Sequence, residues 1–331
     1  MSLYLHGLGH FHPENEITNQ FLIDLDIGTN DEWIIERVGI RSRRSVLSLD
    51  YIRETLNADP AAAVEAAMYT HTDTSIIAAN MALDRAGLSK EDIGMVISGS
   101  SKPEWSSPAE ACVIAQALGI EVPAFDMNSA CTSMCVALYT LSLMRPEELP
   151  DYILLVTPES TTTVVDYSDR SAAVLWGDCT TAAVVSTKIS SRIQILGNTF
   201  ESSPAGSDKV TVPVFGHFSQ EGRTVQMFAI KKTVRLMREI QKEFPGQGRS
   251  LHFIGHQANL RVLETVCQQC NIDDYHHHCN VVEYGNTAAA GAPSVVSMNW
   301  DRWTEGDDIA IIGVGSGLSW SRYILSFGGA L

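Results

Sequence analysis

Six short runs along the 331-residue chain are dense in valine, isoleucine and other apolar residues, and each ends in small residues suited to a turn. The first half holds Ile93 to Ser98 (IGMVIS), Pro123 to Met127 (PAFDM) and Tyr152 to Thr157 (YILLVT). The second half holds Leu251 to Gly255 (LHFIG), Asn280 to Tyr284 (NVVEY) and Ile309 to Val314 (IAIIGV). Runs of this length and composition read as buried strands. Successive runs within a half lie about 28–30 residues apart, room for one crossover helix, so parallel strands are expected. Thr74 to Ala86 carries apolar residues at helical spacing and stops at Gly87, a residue suited to a C-cap. Cys131 to Met144 follows the second strand of the first half, and Ala288 to Asn299 follows its counterpart in the second. The repeated strand–turn–helix order predicts a duplicated α/β fold, with lobes at residues 1–190 and 191–331. One undivided Rossmann-like sheet is the alternative, but no GxGxxG opens a helix and a dinucleotide site has no support. The polar Ser48 to Asp59 and the alanine-rich Pro60 to Met68 read as an inserted helix or loop.

Composition narrows the class. Hydrophobic residues make up 45% and charged residues 19%, which excludes a disordered or collagen-like chain. With 39 acidic against 23 basic residues the net charge is −16, unsuited to nucleic acid or anionic membranes unless the cations cluster. Seven cysteines without a regular framework suit reduced thiols. The N-terminus does not read as a signal peptide, and no apolar run approaches the ~20 residues that span a bilayer. A cytoplasmic protein is the expectation.

Three segments fall just past the C-terminal ends of predicted strands, where open α/β sheets place their sites. They are Asn128 to Ser133, Gly255 to Asn259 and Tyr284 to Thr287. Cys131 would open a helix, where free N–H groups and the macrodipole lower a thiol's pKa. A lone cysteine is more often a small buried hydrophobe. Its occurrence with His256 and Asn286 is what raises its interest. Lys231, Lys232, Arg235, Arg238 and Lys242 form a basic run, with 231, 235, 238 and 242 on one helical face. Cys267-Gln268-Gln269-Cys270 lacks a second cysteine pair, and His276-His277-His278-Cys279 points its rings in different directions. Both read as structural, and no metal site is expected.

The sequence resembles β-ketoacyl-acyl-carrier-protein synthase III, a condensing enzyme of the thiolase superfamily. The likeness runs through Asp31-Glu32-Trp33-Ile34, Gly39-Ile40-Arg41, Phe125-Asp126, Ala130-Cys131, Asp169-Arg170 and Trp176-Gly177-Asp178. It continues with His256-Gln257-Ala258-Asn259-Leu260-Arg261, Gly285-Asn286-Thr287 and Gly313-Val314-Gly315-Ser316-Gly317. The resemblance implies a thiolase-like fold of two duplicated lobes in α-β-α-β-α layers, and a homodimer with the Glu104 to Ala117 region near the contact. It implies that Cys131 takes an acyl group, with the backbone N–H groups of Cys131 and Ser316 as oxyanion hole. His256 and Asn286 would hydrogen-bond the carbonyl of a second thioester as enolate charge develops. Trp33, Arg37, Arg170 and Asn259 would receive coenzyme A or phosphopantetheine. Lys232, Arg235 and Arg261 would dock an acyl carrier protein. Acyl thioesters enter as substrates, and no permanently bound cofactor is implied.

Departures from the family pattern bear on the substrate. Ser107 replaces a bulky aromatic that closes a small primer pocket, and with Leu318 is expected to line a roomier one. The longer Ser48 to Thr72 segment resembles that of specialised relatives joining two preformed acyl chains in polyketide-like metabolism. Ser316 and Cys179 stand in place of glycines, and Gln268 and Gln269 in place of a lysine pair. Alternatives are the housekeeping fatty-acid initiation synthase, a non-condensing acyltransferase, and an inactive partner subunit.

Overall fold

Nine strands hydrogen-bond into one mixed sheet in the computed structural model, which describes residues 2–244, 246 and 248–328. They are β1 (Leu3–Phe11), β2 (Ile93–Ser98), β3 (Ala124–Asp126), β4 (Tyr152–Glu159) and β5 (Cys179–Ser186). The second half adds β6 (Ile193–Ser202), β7 (Ser250–Gly255), β8 (Asp307–Gly315) and β9 (Ser319–Phe327). Their spatial order is β7-β8-β9-β6-β1-β5-β4-β2-β3. The order repeats itself. In the first half β2 lies parallel to β4, and β4, β5 and β1 then alternate antiparallel. In the second, β7 lies parallel to β8, and β8, β9 and β6 alternate in the same way. Even β3, at the outer edge beside β2, has a vestigial counterpart in the single parallel bridge of His277 to Phe253 on β7. The halves meet where Leu3 to Leu5 pair antiparallel with Ile193 to Ile195. The sheet is thus continuous and duplicated at once.

Both faces of each half-sheet are covered, which is why the strands read as unbroken apolar runs. The principal helices are α1 (Asp31–Arg37), α2 (His71–Ala86), α3 (Glu110–Leu118), α4 (Ser133–Leu143), α5 (Gly222–Glu243), α6 (Leu260–Cys270) and α7 (Gly291–Met298). On β4, Ile153 and Leu155 face a central layer with Leu138 of α4 and Val296 of α7, while Leu154 and Val156 face Ala79 of α2 and Ile114 of α3. On β8, Ile309 and Ile311 share the central layer, while Ala310 and Ile312 face Met237 of α5 and Val266 of α6. The five layers of α-β-α-β-α architecture follow. Helix α2 ends as read, at Gly87 with φ of 67°.

The expected strands that form are mutually parallel within each half, but four further strands, β1, β5, β6 and β9, run antiparallel to their neighbours. Gly7 and Gly9 interrupt β1 because a Cβ there would overlap the Ala82 and Ala78 carbonyls of α2. In β5 the polar Thr180 and Thr181 are buried with hydroxyl partners, Thr74 at 2.7 Å and Thr157 at 2.6 Å. Asn280 to Tyr284 is no strand: Val281–Tyr284 forms a short helix, and the strand-like role falls to His277. The inserted segment forms two helices, Leu49–Thr55 and Pro60–Ala66, N-capped by the side chains of Ser48 and Asp59. Among the described residues no helix is long and apolar enough to cross a membrane.

Candidate active site

Two loops that are equivalents in the duplicated fold converge at the centre. After β3 the chain turns through Ala130, held at φ of 47°, into a 3₁₀ turn Ala130–Thr132 and then α4. In the second half Ala288 has the same φ of 47° and opens a 3₁₀ turn, Ala288–Ala290, leading to α7. Left-handed alanines cost about 1–3 kcal/mol each and persist where surrounding structure fixes them. The first turn carries Cys131 and the second follows Asn286. Gly315, at the end of β8, lies against the first: a Cβ there would sit 3.2 Å from the Cys131 Cβ and 3.3 Å from its nitrogen.

Asn286 is buried, and its backbone is clamped, with its N–H donating to Leu175 O at 2.8 Å and its carbonyl accepting from Gly177 N at 3.0 Å. Its Oδ1 accepts the Ala288 N–H at 3.0 Å, which orients the amide and leaves Nδ2 to donate into the cavity. His256 follows β7 directly, on a turn held by Gln257, whose Nε2 donates to Gly255 O at 2.7 Å. Burial pushes the His256 imidazole down to about 4, so it is neutral at physiological pH. Cys131 behaves against expectation. It is open to the cavity but otherwise enclosed, and burial, reinforced by the Glu159 carboxylate, pushes its thiol up to about 12. The Ser101 hydroxyl and the N–H groups of Cys131 and Ser316 pull the other way without winning. These two N–H groups are the pair that the resemblance gives as an oxyanion hole. Ser316 reaches this position without a left-handed backbone, and its hydroxyl donates to Val210 O at 2.6 Å, fastening the cavity lip.

One cavity of about 530 Å³ unites these groups, lined by Trp33, Arg37, Cys131, His256, Asn286 and Ser316 among others. Trp33, on α1, lies between two guanidinium groups, Arg37 at 5.5 Å and Arg170 at 4.7 Å from the ring centre. Asn259 also lines the cavity, where its Oδ1 caps α6 through the Arg261 N–H at 2.8 Å. The expected pocket residues Ser107 and Leu318 are not among those lining it. Ser107 is exposed on the loop before α3. Leu318 is buried against Gly206 behind the turn that carries Ser316.

The basic side chains divide. Lys231, Arg235, Arg238 and Lys242 share one open face of α5, as their spacing predicts. Lys232 lies instead over Trp320 at 3.4 Å, and Arg235 pairs with Glu201 on β6. Arg261 is on α6, bound to Ile35 O and to Glu264. Trp176 lines the cavity and packs edge-on against Phe218 at 4.7 Å, while Asp178 binds the N–H groups of Val46 and Thr162, both at 2.8 Å. Glu159 escaped the sequence reading. Its one signal was a carboxylate ending an otherwise apolar strand.

Comparison with known proteins fits this geometry. The C-terminal model of 3-oxoacyl-[acyl-carrier-protein] synthase III matches residues 251–327, and a second model of the same family matches 125–204. These hold Cys131, His256 and Asn286. Both matches support a β-ketoacyl synthase III-like condensing enzyme. β-Ketoacyl-[acyl-carrier-protein] synthase III of Sulfurovum sp. is 29% identical over 343 residues, covering 98% of this chain and 95% of that protein. Its counterpart in Oceanobacillus iheyensis is also 29% identical, covering 99% and 100%. The crystal structure of the Aquifex aeolicus synthase III superposes with a TM-score of 0.85 at 27% identity, over 98% of this chain and 100% of that one. Like those condensing enzymes, this acyltransferase has the thiolase-like fold.

Proposed function

We propose that Cys131 accepts an acyl group from a coenzyme A or carrier-protein thioester, and that a second thioester is then condensed onto it beneath His256 and Asn286. The observation that carries this is the single cavity reaching from Trp33 to Cys131 with both donors on its wall. In the loading step, the N–H groups of Cys131 and Ser316 are placed to receive the carbonyl oxygen as it becomes negative. In the condensing step, a neutral imidazole and a carboxamide donate to the enolate oxygen without bringing a full charge into the cavity. Attack of the enolate carbon on the acyl carbonyl makes the C–C bond and frees the Cys131 sulfur. Trp33, Arg37 and Arg170 offer an aromatic face and two guanidinium groups to the nucleotide end of coenzyme A.

The substrate we favour is a preformed acyl chain, in a specialised or polyketide-like pathway. The inserted helices support it: the carbonyl of Asn57 between them accepts the His217 Nε2–H at 2.7 Å, beside Phe218 on the cavity wall. An acidic carrier protein would dock on the cationic face of α5, on a chain whose overall net charge is −16. A homodimer through the loop before α3 would place the exposed Trp105 and Ser107 against a second copy. The second reading is fatty-acid initiation, favoured by the names of the relatives. Loading of Cys131 from acyl-coenzyme A thioesters of graded length, followed by intact-protein mass, decides between them. Preference for medium or long chains supports the first reading; loading restricted to two- to four-carbon groups supports the second.

A further inference from the structure

Arg43 is among the largest side chains buried outright, at 0% exposure, and neither half-reaction above gives it a task. It lies on Ser42–Ser45, which pairs with Asn15–Thr18 in a two-stranded ribbon separate from the main sheet. Its Nε and one terminal nitrogen both donate to Val174 O, at 3.1 and 2.6 Å, and the other terminal nitrogen donates to Asn19 Oδ1 at 2.6 Å. These acceptors are neutral. Asn19 Nδ2 in turn donates to Asp31 Oδ1 at 2.8 Å, at the start of α1, the helix that carries Trp33 and Arg37. A cation taken out of water onto neutral oxygens is costly, and methionine would fill the same space without that cost. What the guanidinium holds is the strip that clamps Asn286. Next to Val174, Leu175 O accepts the Asn286 N–H at 2.8 Å, and the Gly177 N–H donates to Asn286 O at 3.0 Å. The Arg43 stem lies against the same clamp. A Cβ on Gly285 would fall 2.8 Å from Arg43 Cγ, and one on Gly177 would fall 3.3 Å from Arg43 Cβ. One side chain thus bears on both halves of the clamp.

We propose that Arg43 is a positioning residue for condensation, fixing the 174–177 strip and Gly285 so that Asn286 Nδ2 meets the enolate oxygen; this rests on the reading that Asn286 is a donor in that step. The direction of the Asn286 amide follows its backbone, because Oδ1 is occupied by the Ala288 N–H. Any shift of the clamp therefore carries Nδ2 with it, and a misplacement of about 1 Å can cost about 10²-fold in rate. A carbonyl that receives two N–H groups from one cation is held more firmly than by a neutral donor. The loading end has other supports: Gly315 lies against Cys131, and the Ser316 hydroxyl is fastened to Val210 O. Arg43 thus acts on one half-reaction and leaves the other alone.

The test compares two single-turnover rates per folded molecule. One is mass gain on Cys131 from octanoyl-coenzyme A, and the other is product formed on adding octanoyl- or malonyl-coenzyme A as second thioester. Arg43→Met keeps the stem and removes the donors. It is expected to load within about threefold of wild type and to condense about 10–10²-fold more slowly. Arg43→Lys, which returns the charge and a single N–H toward Val174 O, is expected to recover part of the condensation rate. A merely structural role would lower both steps by the same factor. Unchanged condensation in Arg43→Met, or equal losses in the two steps, overturns the proposal. Should Arg43→Met not fold, Arg43→Lys carries the same comparison, and unchanged condensation or equal losses there overturn it. A wild type that fails to load, or loads and condenses neither thioester, instead refutes the condensing reading. Backbone hydrogen exchange at Asn286 then reads Arg43 alone: faster exchange in Arg43→Met than in wild type supports the positioning role, and equal exchange overturns it.

Discussion

Replacing Asn286 by alanine separates a chemical role from a structural one, because the side chain does two things with two atoms. Oδ1 holds the Ala288 N–H at 3.0 Å, and Nδ2 is left for the cavity. Losing a turn-capping acceptor costs about 0.5–2 kcal/mol of stability. Losing a preorganised donor to a developing oxyanion costs ~2.7–4 kcal/mol, about 10²–10³-fold in rate. On the proposed mechanism the larger effect belongs to condensation alone, since loading would use the N–H groups of Cys131 and Ser316. Single-turnover loading from an acyl thioester, then product formation on adding the second thioester, reads the two steps in turn, with a melting curve beside them. Asn286→Ala is expected to melt somewhat lower, load at near wild-type rate and condense about 10²–10³-fold more slowly. Asn286→Asp, which keeps the acceptor and loses the donor, is expected to share the condensation defect. Normal condensation in a less stable Asn286→Ala would reduce Asn286 to a cap and refute the reasoning.

Trp33→Ala is expected to raise KM for coenzyme A thioesters about 5–30-fold, the equivalent of ~1–2 kcal/mol of lost ring contact. A short pantetheine-mimic thioester lacking the nucleotide is expected to be unaffected; equal loss with both would remove Trp33 from nucleotide binding. Stability should fall at alkaline pH. Burial opposes the His71 charge, but Glu110 outweighs it and holds the ring at about 9, while burial holds Glu159 at about 8. Both groups bind protons more tightly when folded, so their contribution is full below their ordinary values and lost as pH rises through 8 to 9. Burial holds His256 and His10 at about 4, so stability is also lost as pH falls below about 6.5. His71→Gln is expected to flatten the alkaline limb, and a melting temperature still rising across it in the wild type would contradict the signs. Gly315→Ala places a Cβ 3.2 Å from that of Cys131 and is expected to slow loading more than it lowers the melting temperature; unchanged loading would show that the turn yields freely.

Much of this site was readable because its residues sit at turns with characteristic small neighbours. Cys131, His256 and Asn286 each follow a strand or turn whose glycine, alanine and asparagine pattern repeats along the chain. The strands buried on both faces were equally visible, since β4 and β8 offer unbroken apolar runs. Strands β1 and β5 escaped because close helix packing demands Gly7 and Gly9, and because Thr180 and Thr181 are buried with partners no pattern of hydrophobicity reveals. Asn280 to Tyr284 misled for the opposite reason: valine-rich and short, it forms a helical turn because Gln257 Oε1 accepts the N–H groups of Asn280 and Val281. The thiol's direction was misjudged from the helix N-terminus alone. Burial and Glu159, both products of tertiary packing, outweigh it. Ser107 was placed by likeness alone, and it stands exposed outside the cavity lining.

The account stands most directly on whether the acyl group held by Cys131 becomes joined to a second chain through carbon. Acyl-coenzyme A labelled with ¹³C at its carbonyl, supplied with an unlabelled second thioester, answers this in one pair of spectra. The Cys131 peptide should carry the labelled acyl mass, and the product should show the labelled carbon as a ketone bonded to the α-carbon of the other chain. Cys131→Ala should yield neither. A label found only in an ester, an amide or free acid, or a condensed product still formed by Cys131→Ala, would contradict it.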